Sequence, residues 1–264
     1  MSSKLYSESR GNGPDLVLWH GWGMNLRVFD PLVDCLAAHF RVTTFDLPGH
    51  GRSPWMRTGS LEDSLPELLG GLPEGCALAG WSLGGLLAMR AAHRTPERFR
   101  ALILLHSTPK FIAEADWPHG IDASLLQDFS QSLQHSQEQT VSRFIDLQVR
   151  GSRDASGVLQ RLRDSLRLHG HAQPAALSEG LEILRRADLR EVVTQIRLPT
   201  LILSGQYDRV TPPAAARALA ELMPAARLEE LPRAGHASFL SHPQTVAALC
   251  MDLLKAHPAA QVAV

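Results

Sequence analysis

The stretch "LAGWSLGGLLA", residues 78–88, places Ser82 between two glycines, with aliphatic residues on both sides. A strand-like run, "GCALAG" (75–80), leads into Ser82, and a helix-like run, "LGGLLAMRAAHRTPERF" (83–99), follows it. A G-x-S-x-G pattern between a strand and a helix is typical of a sharp turn that exposes a nucleophilic serine. The alternative is an ordinary strand-to-helix turn, in which Ser82 is only a small packing residue.

Short apolar runs alternate with helical segments along most of the chain. The strand-like runs outside that stretch are "DLVLWH" (15–20), "FRVTTFD" (40–46), "ALILLHS" (101–107), "TLILSGQYD" (200–208) and "ARLEELP" (226–232). Continuous apolar runs indicate strands that are covered on both faces, and their alternation with helices indicates a mostly parallel, doubly wound α/β sheet. In such a sheet the loops at the carboxyl ends of the strands form the rim that carries functional sites.

Helical periodicity replaces the strand-like runs between residues 111 and 187. Apolar residues that fall on one helical face in this block are Leu125, Leu126, Phe129 and Leu133, and then Leu159, Leu162 and Leu166. We therefore predict a core formed by residues 1–110 and 188–264, with residues 111–187 inserted as a helical cap over the rim.

The composition of the 264 residues, 44% hydrophobic and 20% charged, suits one large globular domain that carries an insertion. A formal net charge of −1 gives no global attraction to nucleic acid or to an anionic membrane. The N-terminal "MSSKLYSESRGNGPD" has no apolar core of a signal peptide, and the three cysteines match neither a disulfide framework nor a metal pattern. We expect a cytoplasmic monomer that binds neither nucleic acid nor a membrane.

Two side chains at other strand ends could activate Ser82. A serine hydroxyl is a poor nucleophile, so it needs a base, which in turn needs an acid to orient it. Asp208 follows "LILSG", and His236 follows the next strand within "LPRAGHASF". Separately, Asp208 could be a turn residue and His236 a helix cap, but their order after Ser82 predicts a catalytic triad. His106, at another strand end, could line the same site.

The oxyanion of an acyl-transfer intermediate needs two backbone N–H donors. One is expected from Leu83, directly after the nucleophile. The other is expected from Trp22, because "HGWGMN" (20–25) is a loop after an early strand and its two glycines let the backbone turn inward. An ordinary glycine turn is the alternative for this loop.

These motifs resemble those of the α/β-hydrolase family. Further segments, including "LWHGWGMN" (18–25), "SLQHSQEQTVSRFIDLQ" (132–148), "GLEILRRADLR" (180–190) and "GHASFLSHP" (235–243), are most similar to the methyl ester carboxylesterases of biotin biosynthesis within that family. The resemblance covers nearly the full length, including the cap. It implies hydrolysis of the methyl ester on a pimeloyl chain carried by acyl-carrier protein, with release of methanol and with no metal or cofactor.

The resemblance also assigns roles to individual residues of this chain. It makes Ser82 the nucleophile, His236 the base and Asp208 the acid that orients His236, and it places Trp22 and Leu83 against the ester. The remaining expected substrate contacts are Trp81, beside the nucleophile, and the cap residues Phe144 and Gln148.

The charge of the cap suits an acidic carrier protein only in part. Residues 147–173 hold five arginines against two aspartates, whereas residues 111–146 hold one arginine against six acids. An acidic partner predicts a local basic patch, while a solvated arginine face on an amphipathic helix is the alternative. The candidate carrier contacts are Arg143, Arg150 and Arg153.

Other functions are compatible with the same triad. A general short-chain carboxylesterase, an enol-lactonase or a carbon–carbon bond hydrolase would differ only in the cap pocket. A ligand-binding receptor is the alternative from a different class, although a triad with both oxyanion elements is more than binding requires. Ser82 disfavours epoxide hydrolases and haloalkane dehalogenases, which place an aspartate at this position.

Overall fold

The computed structural model describes residues 5–56 and 59–259. Residues 1–4, which begin the segment in which we predict no signal peptide, lie outside this described part. Within it, no helix combines the length and the apolar character that crossing a membrane requires.

One seven-stranded sheet organises the described part of the chain. Its strands are β1 (Ser7–Arg10), β2 (Asp15–Trp19), β3 (Arg41–Phe45), β4 (Cys76–Trp81), β5 (Phe99–Leu105), β6 (Thr200–Gly205) and β7 (Ala226–Leu231). They lie in the order β1-β3-β2-β4-β5-β6-β7. Only β1 pairs antiparallel with its neighbour β3, and all other pairs are parallel. The predicted mostly parallel sheet is therefore confirmed.

Eleven α-helices accompany the sheet within residues 5–56 and 59–259. They are α1 (Asp30–Leu36), α2 (Leu61–Gly70), α3 (Leu83–Arg94), α4 (Ala123–His135), α5 (Gln137–Val149), α6 (Ala155–His169), α7 (Pro174–Arg186), α8 (Arg190–Val193), α9 (Pro213–Leu222), α10 (Ser238–Ser241) and α11 (Pro243–Ala256). Helices α4 to α7 follow one another between β5 and β6, where the sequence predicts a helical block.

Both faces of the sheet are covered by helices. All six residues of β4 are buried, so neither of its faces meets solvent. Helix α3 packs on β4 and β5, and α2 and α8 pack against α3. Helix α11 packs on β5 and β6, and α1 packs against α11. This arrangement explains why the central strands are apolar at successive positions rather than at alternate ones. Two of the three cysteines, Cys76 and Cys250, lie in this core, and burial raises the pKa of each thiol to about 12.

The helices between β5 and β6 contact the loops at the carboxyl ends of the strands. After β2, the indole Nε1 of Trp22 donates to the carbonyl of Leu177 in α7 at 2.8 Å. After β3, the carbonyl of Gly49 accepts from the backbone N–H of Gln173 at 2.7 Å. After β7, the backbone N–H of His236 donates to a carbonyl of α5 at 3.0 Å. These helices therefore lie over the rim, while the exact division into core and cap at residues 111 and 187 stays a prediction.

Two elements differ from the sequence expectation. The helix after Ser82 ends at Arg94, and residues 96–98 form a separate 3-10 turn instead of its continuation to Phe99. Pro96 explains this end, because proline disfavours helical backbone in the residue before it. Strand β1 has the polar sequence "SESR", which carries no apolar strand signal, and it forms through its pairing with β3 at the edge of the sheet.

Glycines allow β4, α3 and β2 to approach one another around Ser82. An ideal Cβ on Gly80 would lie 2.3 Å from the carbonyl oxygen of Gly84. A Cβ on Gly84 would in turn lie 2.3 Å from the carbonyl oxygen of Trp19. Real Cβ atoms do not tolerate such distances to backbone atoms, so the close backbone approach expected from the glycine spacing is confirmed.

We predict that Gly84→Ala lowers the free energy of unfolding by about 3 kcal/mol, because the added methyl group must displace the backbone of β2. Chemical denaturation measures this change. Gly70→Ala is the matched control, since Gly70 lies at the end of α2 with nothing within 4 Å of the added Cβ. It is expected to be neutral or to stabilise by up to about 1 kcal/mol. Equal effects of the two substitutions would contradict the close approach.

Candidate active site

Ser82 occupies a strained turn between β4 and α3. Its backbone has φ 55° and ψ −116°, a conformation that residues other than glycine rarely adopt. Two hydrogen bonds hold the turn: the Ser82 N–H donates to the carbonyl of Leu105 at 3.0 Å, and the Ser107 hydroxyl donates to the Ser82 carbonyl at 2.8 Å. Because α3 begins at Leu83, its first N–H groups have no partner within the helix and carry its partial positive charge.

His236 and Asp208 are both buried, and they lie within hydrogen-bond distance of each other after the carboxyl ends of β7 and β6. His236, after β7, places Nδ1 2.8 Å from Oδ2 and 3.0 Å from Oδ1 of Asp208, which follows β6. The indole Nε1 of Trp81 donates to the carbonyl of His236 at 2.8 Å, and the indole ring lies against the imidazole. The strand residue next to Ser82 therefore fixes the loop that carries His236.

Asp208 receives several further donors. The N–H groups of Val210 and Thr211 each donate to Oδ1 at 2.8 Å, and the Thr211 hydroxyl donates to Oδ2 at 2.8 Å. Burial by itself would raise the pKa of Asp208, but the charge of His236 and the histidine hydrogen bonds hold that pKa below its ordinary value. The side chain is therefore a carboxylate that can stabilise a positive charge on His236.

Several buried polar atoms at the site have no hydrogen-bond partner among the described residues. They are Oγ of Ser82, Nε2 of His236, and both Oε1 and Nε2 of Gln148 in α5. Buried polar groups are nearly always paired, so orphaned atoms from three separate elements mark a place where another molecule can supply the partners. Contacts between catalytic groups are often formed only when substrate is bound.

The loop after β2 lies directly beside Ser82. An ideal Cβ on Gly21 would lie 3.2 Å from the Cβ of Ser82, and Gly23 has φ 71°. The close approach therefore favours glycine at the first position, and a left-handed backbone favours it at the second. The side chain of Trp22 is buried and packs edge-on against Phe144 of α5, with ring centroids 4.9 Å apart. The oxyanion roles of Trp22 and Leu83 stay predictions.

Apolar side chains from the core and the cap meet near the loop and Ser82. Phe144 also packs edge-on against Phe129 of α4 at 5.5 Å. Gly180 of α7 lies so close to Trp22 that a Cβ there would come within 2.6 Å of its indole. A small cavity of about 30 Å³ is bordered by Leu83 and Gly180. Ser82 itself is buried.

His106 also belongs to the cluster, although its sequence position suggested only that it could line the site. Its Nδ1 lies 3.0 Å from Oδ2 of Asp208, and its Nε2 lies 2.6 Å from Oγ of Ser238. The only signal in the sequence was its location at the end of the strand-like run "ALILLHS".

His106, Asp208 and His236 could in principle bind a metal ion, since one ligand atom from each lies within 4.8 Å of the others. The histidine nitrogens, however, lie 2.8–3.0 Å from carboxylate oxygens, and these distances are those of hydrogen bonds. Hydrogen bonds between the two histidines and the Asp208 carboxylate therefore account for the geometry of this cluster.

The predicted carrier contacts lie on the surface. Arg143, Arg150 and Arg153 are exposed, and Arg143 donates to the hydroxyl of Ser132 at 3.0 Å. Among the described residues, no ion pair joins these three arginines to a carboxylate. Other cap arginines do form ion pairs: Arg161 with Asp154, Arg163 with Asp146, and Arg167 with Asp164.

A serine on a strained strand-to-helix turn, with a histidine and a carboxylate from later strands of the same parallel sheet, is the arrangement of α/β-type serine hydrolases. The family described as "alpha/beta hydrolase fold" matches residues 14–243. The chain belongs to the alpha/beta hydrolase family.

Curated relatives match most of the chain. A protein of Nitrosomonas europaea named "Pimeloyl-[acyl-carrier protein] methyl ester esterase" is 42% identical over 252 residues, which cover 96% of this chain and 100% of the relative. A protein of the same name from Aeromonas hydrophila is 44% identical over 241 residues, covering 90% and 94% of the two chains.

Solved structures show the same fold at lower identity. An esterase from Exiguobacterium antarcticum superposes with a TM-score of 0.85 at 22% identity, with 95% of each chain covered. The enol-lactonase from Burkholderia xenovorans LB400 gives a TM-score of 0.81 at 24% identity, with 95% of this chain and 96% of that one covered. At such identities the likeness concerns the fold alone.

We predict that Ser82→Gly is more stable than Ser82→Ala by about 1 kcal/mol, because glycine relieves the strained backbone of the turn. Both substitutions remove the orphaned hydroxyl, so their difference isolates the backbone contribution. Urea denaturation of the two variants measures it. An alanine variant as stable as the glycine variant would mean that the turn stores no strain.

Proposed function

We propose that the protein is a serine carboxylesterase that hydrolyses the methyl ester of pimeloyl-[acyl-carrier protein], yielding pimeloyl-[acyl-carrier protein] and methanol in biotin biosynthesis. The observation that carries the reaction class is the His236–Asp208 pair: its second imidazole nitrogen and the Ser82 hydroxyl are both buried with no hydrogen-bond partner in the described part of the chain. The names of relatives that match at least 90% of the chain support the substrate.

In the proposed reaction, Oγ of Ser82 attacks the ester carbonyl while Nε2 of His236 accepts the hydroxyl proton. The Asp208 carboxylate, ionised at neutral pH, stabilises the imidazolium that forms. The N–H groups of Leu83 and Trp22 hold the negative charge on the carbonyl oxygen. Methanol leaves with the proton from His236. Water then attacks the acyl-enzyme, with His236 again acting as the base, and the free carboxylic acid is released.

The apolar surroundings of Ser82 suit an acyl chain. Trp22 and Phe144 pack against each other where α5 meets the loop after β2, and Leu83 follows the nucleophile. The uncharged amide of Gln148, one helical turn after Phe144 on α5, is buried, and both of its polar atoms lack a hydrogen-bond partner among the residues that the structure describes. We assign it a hydrogen bond to a polar group of the bound ester.

Two cap arginines that form no ion pair among the described residues support a macromolecular partner. Where arginines serve only as a solvated helix face, they are expected to pair with acids one turn away, as Arg167 does with Asp164. Arg150 and Arg153 follow α5 directly and have no such partner among the described residues. They are free to contact an acidic acyl-carrier protein. A cytoplasmic location and a monomeric state stay predictions from the sequence.

We predict that Ser82→Ala and His236→Ala each lower kcat on a simple aryl ester by about 10⁴-fold or more, and that the double variant loses little beyond either single one. The two residues act on the same step, so removing either disables both. His135→Ala is the control, because His135 is exposed on α4 and hydrogen-bonds to a carbonyl of its own helix. Near-additive losses would contradict a shared triad, and an inactive wild type would favour a receptor.

We predict that wild-type protein has a higher kcat/KM for pimeloyl-carrier methyl ester than for short free esters in direct competition. The double variant Arg150→Ala/Arg153→Ala should lower the value for the carrier-bound ester about tenfold at low salt, with the free methyl ester unaffected. Arg163→Ala is the control, because Arg163 already pairs with Asp146.

Added salt should reduce the same preference, since exposed charges are screened within about 10 Å at 0.1 M ionic strength. A strong preference for short free esters would overturn the carrier-bound substrate and favour a general carboxylesterase or lactonase. Equal losses on both substrates would instead place the two arginines outside the docking surface.

A further inference from the structure

Asp208 binds two histidines rather than one. His236 reaches it from the loop after β7, and His106 reaches it from the end of β5, on the other side of β6 in the sheet. The side chains of all three are fully buried. Nε2 of His106 is also hydrogen-bonded to the hydroxyl of Ser238, two residues after His236. One chain of hydrogen bonds therefore joins the three strand ends.

The proton positions on His106 follow from its neighbours. The backbone N–H of Ser238 points at Nε2 of His106 from 3.3 Å, and a backbone N–H can only donate. Nε2 is therefore an acceptor, and the single proton of the neutral ring sits on Nδ1, from which it donates to Oδ2 of Asp208. Burial lowers the pKa of His106, an effect that the hydrogen bond to Asp208 opposes. The titratable groups that face this ring are Asp208 and His236.

The backbone of His106 is held in an unfavourable conformation. Its φ is 47°, one of three positive values at residues other than glycine among the described residues, and Ser82 is another. Such strain persists where the surroundings impose it, and it concentrates at functional sites. The next residue, Ser107, donates to the carbonyl of Ser82. Two consecutive residues after β5 thus contact the triad acid and the turn of the nucleophile.

We propose that His106 is a positioning residue for the triad: a fixed neutral donor that orients the Asp208 carboxylate and withdraws part of its negative charge from His236. This inference rests on the proposed function. With His106 in place, Oδ2 is shared between two imidazoles and the Thr211 hydroxyl, so the carboxylate cannot rotate away from His236 without losing hydrogen bonds.

Ser238, His106 and Asp208 also have the connectivity of a second serine triad. Ser238 is the first residue of the short helix α10 and is completely buried, and it has neither the strained backbone nor the flanking glycines of Ser82. Its hydroxyl instead donates to Nε2 and fixes the ring of His106. The inference therefore assigns Ser238 to support of the ring and not to attack on a substrate.

The test compares His106→Gly with His106→Asn on a small aryl ester, after titration of the active sites. Both residues tolerate a positive φ, so both should fold, but only asparagine carries an amide N–H near the position of Nδ1. His106→Gly is expected to lower kcat about 10- to 100-fold, the effect of losing one hydrogen bond to a charged group, with KM changed less than twofold. His106→Asn should recover kcat to within about threefold of the wild type.

The pH profile provides a readout that a merely structural role would not move. Without the donor, the Asp208 carboxylate keeps more of its negative charge, so the acidic limb of kcat/KM should move to higher pH by about half a unit or more in His106→Gly. It should stay near the wild-type position in His106→Asn. Identical kcat and pH profiles for the glycine and asparagine variants, or losses confined to the titrated fraction of active sites, would overturn the inference.

Two controls separate this inference from the proposed function. If the wild type is inactive or Ser82→Ala keeps its activity, the proposed function fails first. If the wild type is active and His106→Gly behaves like it, only the positioning role fails. A fluorophosphonate probe should label Ser82 in the wild type and leave Ser82→Ala unlabelled. Labelling of Ser238 in Ser82→Ala would overturn the supporting role, because Ser238 would then be a nucleophile.

Discussion

Ser82 can keep its unfavourable backbone only because the surrounding chain packs tightly against the turn. Gly80 and Gly84 bring backbone segments of β4, α3 and β2 within distances that a methyl group would prevent, and Gly21 brings the loop after β2 against the side chains of Trp81 and Ser82. The hydrogen bond from Ser107 then holds the carbonyl of Ser82 from the neighbouring strand end. This constraint places the Ser82 hydroxyl at the start of α3, where the helix dipole favours negative charge.

The charge of Asp208 imposes a second requirement on the same rim. A buried carboxylate is costly unless donors surround it, and here the donors come from β5, from the loop after β6 and from the loop after β7. The hydrogen bonds to the Asp208 carboxylate therefore hold the ends of three neighbouring strands together. The Asp208 oxygens accept hydrogen bonds from these donors, whereas Oγ of Ser82, Nε2 of His236 and the amide of Gln148 have no partner among the described residues, which separates the part of the site that is already satisfied from the part left for substrate.

Sequence alone predicts the elements whose signals are local. The G-x-S-x-G pattern, the apolar strands and the order of Ser82, Asp208 and His236 all depend on short stretches. The contact of His106 with Asp208 joins residues 102 positions apart, and neither its tautomer nor its backbone strain leaves a trace in the residue type. The pairing of Arg163 with Asp146 is equally hidden, because it depends on how α6 packs against α5. Strand β1 forms by pairing at an edge, which its polar sequence does not indicate.

The hydrogen bond between Trp22 and Leu177 links the cap to the loop on which the proposed oxyanion donor lies. Gly180 packs against the same indole, so α7 and this loop are held together by both a hydrogen bond and a packing contact. On the proposed roles, lifting the cap to admit an ester would also withdraw the donor from Ser82. The open state would then bind without reacting, and the closed state would react without exchanging its contents. Entry and chemistry would be separated in time, so the rate of reclosure could limit each turnover.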